Sequence, residues 1–80
     1  MSEEIHPPPI EFSAEEIERD DVLGFFHYSH LPAALQERSR PFCALARTLI
    51  DTTPRCPQRT IALNKLLESK DAAVRAALPR

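Results

Sequence analysis

From Pro41 to Ile50 the apolar residues Phe42, Leu45, Ala46, Leu49 and Ile50 recur at i, i+3, i+4, i+7 and i+8, the spacing of one helix face. A second stripe of Ile61, Leu63, Leu66, Leu67, Ala73, Val74 and Ala77 predicts another helix, opening near Pro57 and running to about Leu78. Lys65, Glu68, Asp71 and Arg75 line its other side. Lys70 falls where the stripe calls for an apolar residue, so its stem is expected to pack while its amine reaches out. Between the stripes, Thr52-Thr53-Pro54-Arg55-Cys56-Pro57 reads as a short turn, with Pro57 suited to a first helical turn where its missing N–H does no harm. The pattern predicts an all-α chain: an antiparallel helical hairpin of two long helices.

Pro41 does not fit a helix interior, so the first long helix is expected to begin there, with Ser39 as its N-cap. Residues 32–38 then form a separate helical lead-in that opens on Pro32. Upstream, Ser13-Ala14-Glu15-Glu16 has the Ser-x-x-Glu form of a capping box and predicts one or two helical turns, ending near Gly24. Phe25-Phe26-His27-Tyr28 then reads as extended and at least half buried. Residues 1–10 contain the triplet Pro7-Pro8-Pro9, which favours polyproline II, and are expected to be a disordered or docked tail. The organisation is thus an acidic N-terminal arm over 1–24, partly disordered, and a helical hairpin domain over 25–80.

Length turns this pattern into a physical requirement. Two helices pack along one seam, so part of each stripe is left open, and units below about 40 residues usually need a disulfide, a metal or a partner to fold. A homo-oligomer, or a protein partner on the same face, is expected. The alanines of the second helix, Ala72, Ala73, Ala76 and Ala77, permit close approach of another helix and are equally good helix formers in themselves. A single Gly argues against a hairpin-rich β fold. No apolar run reaches the roughly 18 residues of a membrane span. The acidic N-terminus does not resemble a secretion signal, so a cytoplasmic protein is expected.

Charge is split along the chain. Residues 1–21 hold eight carboxylates against Arg19, a net of −7, while residues 22–80 hold nine Lys and Arg against Glu37, Asp51, Glu68 and Asp71, a net of +5. Such a body suits an anion, with the arm lying over it or solvated; charges scattered for solubility are the plainer alternative. Duplex nucleic acid fits poorly, because the arm repels a phosphate backbone.

The inventory for catalysis is thin. The candidate bases are His6, His27 and His30, the carboxylates gather in the arm, and one glycine cannot build a phosphate loop, so no enzyme is expected. Cys43 and Cys56 are expected as reduced thiols, although a bridge between them is possible on separation alone. Together with His27 and His30 they lack zinc-ligand spacing, and no cofactor is implied. Binding chemistry is better served: Tyr28, His30, Arg38 and Arg40 lie near the start of the hairpin, with Arg47 two turns along. Rings stack on nucleobases and guanidinium groups give paired hydrogen bonds to phosphate. The structural alternative is that Phe25, Phe26 and Tyr28 only staple the arm to the hairpin.

These residues also carry a resemblance. Phe26-His27-Tyr28-Ser29-His30, the Leu31-Pro32 and Gln36 lead-in, Leu45-Ala46, the turn Pro54-Arg55-Cys56-Pro57 and the stretch Thr60-x-Ala62-Leu63-x-Lys65-Leu66 occur in that order. Over residues 26–78, roughly two-thirds of the chain, this resembles the hairpin domain shared by phage anti-CBASS and anti-Thoeris proteins, small sponges for host immune signals. It is also similar to small proteins of actinobacteria and their phages with a His-Leu-Pro…Leu-Gln…Ser-x-Pro-Phe…Leu-Ala pattern, a likeness that implies no activity. The sponge resemblance implies a non-catalytic protein of the bacterial host cytoplasm, assembled as dimers to hexamers. It would hold cyclic di- or trinucleotides, or cyclic ADP-ribose isomers, between subunits. It further implies Tyr28 for base stacking, with Arg47 and Arg75 for phosphate. The chain departs from that pattern at Val74-Arg75-Ala76, where the related hairpins have Asn-Ala-Ala, and at Ser29, where they have His.

Overall fold

The computed structural model of the chain describes residues 11–78, which are helical throughout apart from short connections; the expected N-terminal tail lies outside the described residues. The capping box forms. The Glu16 N–H donates to Ser13 Oγ at 3.1 Å and the Ser13 N–H donates back to Glu16 Oε1 at 2.9 Å, which starts α1, Ala14–Arg19.

Beyond α1 the structure corrects two expectations. The chain does not stop at Gly24, which has no positive φ; it runs through Gly24 in a 3₁₀ segment, Asp21–Phe26. Nor is the front of the aromatic cluster extended. At three residues per turn, Leu23 and Phe26 eclipse, and both are fully buried, while Phe25 is turned out at 65% exposed.

The first long helix, α2, is Ala33–Thr52 and carries Pro41 in its interior. The predicted lead-in and main helix are therefore one element. It opens on Pro32, whose carbonyl accepts from the Leu35 and Gln36 N–H groups at 2.9 Å each. Ser39 is not an N-cap but a fully buried mid-helix residue. Pro41 withholds the N–H that would bond the Glu37 carbonyl, a cost of about 3 kcal/mol in an isolated helix. The helix nevertheless continues through it and buries Cys43 and Ala46 in the core, while the Ser39 hydroxyl is buried without a hydrogen-bond partner and adds a cost of its own.

The second long helix, α3, is Pro57–Ala77, with Pro57 in its first turn as predicted. The Arg59 and Thr60 N–H groups donate to the Cys56 carbonyl at 3.0 and 3.2 Å and close that turn. Ile61 departs from its predicted stripe: it precedes Leu63 by about 200° of helix rotation, and is 48% exposed where Leu63 is fully buried.

One core joins these elements. Phe12, Val22, Leu23 and Phe26 come from the N-terminal segments, Cys43 and Ala46 from α2, and Leu63 from α3; Ile17, Tyr28, Phe42, Leu49, Ile50, Leu66 and Leu67 pack around them. The α2–α3 contact is the most extensive, and the 3₁₀ segment touches both long helices. The N-terminal segment thus supplies core that the two long helices lack. Among the described residues no helix is long and apolar enough to cross a membrane.

Candidate anion-binding cleft

The periodicity of α3 sets Lys70 beside Val74 and Asp71 beside Arg75 on one side of the helix, each pair four residues apart. Opposite them, the last turn of the 3₁₀ segment presents an exposed Phe25, and the connection to α2 carries His27, His30 and Leu31. Together with Gly24 these residues line an open cleft of about 380 Å³. Lys70 is the anchor between its walls. Its side chain is only 12% exposed, and its amine donates to the Phe25 carbonyl while lying 3.8 Å from Asp71 Oδ1. Gln36 fixes the connection by donating from Nε2 to the Leu31 carbonyl at 2.8 Å and the Ser29 carbonyl at 3.4 Å.

The cleft is basic. Its lining sets Lys70 and Arg75 against one carboxylate, Asp71, with the imidazoles of His27 and His30 beside them. His27 forms the inner wall. Its ring stacks on Phe12 with centroids 6.3 Å apart and planes 17° apart, and its Nδ1 lies 3.8 Å from Glu11 Oε1. Both Glu11 Oε1 and His27 Nε2 are buried without a hydrogen-bond partner.

Of the residues singled out from the sequence, His30 and Arg75 meet in this cleft. Tyr28 is half buried against the core, with the Arg40 guanidinium 5.6 Å from its ring centroid. Arg38 and Arg40 are exposed on the first two turns of α2. Arg47 is occupied elsewhere. It donates to both Glu16 carboxylate oxygens at 2.8 and 2.9 Å, to Asp51 at 3.2 Å and to the Glu11 carbonyl at 3.1 Å, while lying 5.1 Å over the Phe12 ring. The paired hydrogen bonds from Arg47, followed by the Ser13 N–H, pull the Glu16 carboxyl down to about 2, and the same contact raises Arg47 further above its usual range.

Phe25, His27, Lys70 and Asp71 were not singled out as site residues from the sequence. Lys70 had a visible signal, a cation in an apolar stripe. Phe25 had only its place in the aromatic cluster, His27 was noted only as a candidate base and zinc ligand, and nothing marked Asp71.

Two further polar features fasten the arm and stand apart from the cleft. Arg59, nearly buried at the start of α3, donates to Asp20 and to the Thr53 and Ile50 carbonyls at 2.8 and 3.4 Å, so one side chain ties α1 to the end of α2. Arg55, in the turn before it, donates to the Arg19 carbonyl at 3.3 Å. Cys43 is buried and Cys56 exposed, both as free thiols, and burial, then the Glu11 charge, pushes the Cys43 thiol up to about 11. Among the described residues no group of three His, Cys, Asp or Glu side chains is disposed to hold a metal ion. Compared with known protein families, curated proteins and solved structures, the chain matches none. What fold and cleft define is therefore a class: a small all-helical chain with a basic, aromatic-edged cleft.

Proposed function

We propose that the chain is a non-catalytic binding protein that sequesters cyclic nucleotide signals in the cleft between Phe25, His30, Lys70 and Arg75. The observation that carries this reading is that His30 and Arg75, far apart in sequence, line one cleft with a largely buried lysine and an outward-turned phenylalanine. Lys70 and Arg75 suit phosphate oxygens, and Phe25, with Leu31 and Val74 beside it, suits the face of a base. At about 380 Å³ the cleft is at the small end of ligand sites. It suits one nucleotide unit, so a cyclic dinucleotide would extend onto a second copy. In this reading α2 and α3 form an antiparallel hairpin that assembles into a homo-oligomer, dimer to hexamer, with ligand held at the seams.

A structural or adaptor role without a small ligand is the second reading. It is favoured by Leu45 and Ile61, each 48% exposed on the long helices. Isothermal titration with cyclic di-AMP, cyclic di-GMP and isomers of cyclic ADP-ribose separates the two. Binding that is lost in Phe25→Ala and Arg75→Ala, in proteins of unchanged mass by light scattering, supports the sponge. A folded oligomer that gives no heat with any of them favours the adaptor.

A further inference from the structure

We propose that the cleft is guarded by the chain's own segment Glu3-Glu4-Ile5, which docks there and must be displaced by an incoming anion; this rests on the cleft reading above. The two carboxylates meet Lys70 and Arg75, and Ile5 lies against Phe25. The place where the segment is tethered favours this occupant. Glu11, the first described residue, lies against the inner wall, its Oε1 3.8 Å from Nδ1 of the cleft residue His27, and its carbonyl accepts from Arg47 at 3.1 Å. The chain upstream therefore departs from the edge of the cleft. Pro7-Pro8-Pro9 favours an extended path of about 3.1 Å per residue, so Glu4, seven residues before Glu11, has a reach of about 20 Å. Lys70 and Arg75, five residues apart on α3, are separated along its axis by only about 7.5 Å.

The chemistry of segment and cleft is complementary. Residues 1–10 contain Glu3 and Glu4 and no Lys or Arg. The cleft sets Lys70 and Arg75 against Asp71 alone, an excess of positive charge that attracts carboxylates. Phe25, 65% exposed, forms an apolar edge with Leu31 and Val74, and Ile5 placed on it removes apolar surface of both from water. Each exposed ion pair is weak by itself. The tether compensates by holding the segment at an effective concentration on the order of millimolar. Dilute simple anions are thereby kept out, while a ligand that fills the cleft with both phosphate and base displaces the segment. The segment thus acts as a selectivity filter for the site.

The chain's single glycine, Gly24, lines the cleft, so isotopic glycine labelling of the full chain gives one amide NMR signal that reports on occupancy. Glu3→Gln combined with Glu4→Gln should move that signal. Sulfate, as the probe, should then shift it at about a fivefold lower concentration than in the unaltered chain. Sodium chloride should narrow the gap between the two proteins by screening the docked carboxylates. Glu15→Gln combined with Glu18→Gln removes the same charge from exposed positions on α1 and should leave sulfate affinity unchanged. An equal gain in that control would make net charge the cause and overturn the docking. A gap that vanishes on dilution would put a second copy's segment in the cleft and overturn the tethered contact. Equal sulfate affinity with and without Glu3 and Glu4 overturns the docking and leaves the cleft reading in place. No sulfate-induced shift in any of these proteins overturns both.

Discussion

Arg47 and Glu16, 31 positions apart in the chain, are joined by two parallel hydrogen bonds of 2.8 and 2.9 Å. The same Glu16 side chain closes the capping box of α1, so one carboxylate both starts that helix and fastens it to α2. Paired guanidinium–carboxylate contacts are the stronger kind of surface ion pair. The basic residue with the best sequence claim to a phosphate is thereby committed to holding the acidic arm.

That contact has a defined pH signature. Glu16 is depressed from the usual carboxylate value of 4.5 to about 2, so its contribution is fully present above the usual value and is lost as pH falls through the folded one. Urea midpoints measured across this acid range should fall more steeply in the unaltered chain than in Glu16→Gln. Parallel curves would show that the pair contributes nothing, because other carboxylates titrate alike in both proteins.

Asp20 and Arg59 form the buried counterpart, with side chains 9% and 7% exposed. Asp20→Ala leaves the guanidinium uncompensated next to the end of α2 and should destabilise the fold by about 3–5 kcal/mol in chemical denaturation. Replacing both residues, as Asp20→Leu with Arg59→Met, should recover much of the loss, since apolar side chains of similar volume often substitute for a buried pair. A double variant no better than the single one would mean that the carbonyl contacts of Arg59 at the end of α2 matter more than its charge.

Leu63 is the one fully buried side chain of α3. Leu63→Ala should cost about 2–5 kcal/mol by leaving a cavity between the long helices and the 3₁₀ segment. Ile61→Ala, two residues earlier and half exposed, should change the denaturation midpoint little. The pair of midpoints tests the orientation of α3 directly.

The two thiols should label at very different rates. Cys56 is exposed and Cys43 is 5% exposed with its thiol held protonated. One equivalent of iodoacetamide should react in native buffer, at Cys56 by peptide mapping, and the second only in denaturant. Rapid labelling of Cys43 under native conditions would contradict its place in the core.

What was legible in the sequence was local. The Ser13/Glu16 box and the Pro57 start of α3 carry their own signals within four residues, and both elements begin where those signals lie. Pro41 misled because its penalty is local while the packing of Cys43 and Ala46 into the core depends on α3 and the 3₁₀ segment. The aromatic cluster misled in a similar way. Phe25 and Phe26 have strand-like propensity, yet the 3₁₀ turn lets Leu23 and Phe26 reach the core together. The cleft was half legible. His30 and Arg75 stood out as residue types that bind anions, but the meeting of Phe25 with Lys70, 45 positions apart, is a tertiary fact with no local trace.

The Lys70–Phe25 contact has one more consequence. A free lysine side chain holds about 2 kcal/mol of rotamer entropy, which it must lose when it fastens on a ligand. Lys70 has lost most of that freedom on folding, because its stem is packed and one N–H is fixed on the Phe25 carbonyl, while two N–H donors are left over. An anion arriving in the cleft meets an amine that is already aimed, so the ordering term that weakens most lysine–anion contacts has been settled before binding begins.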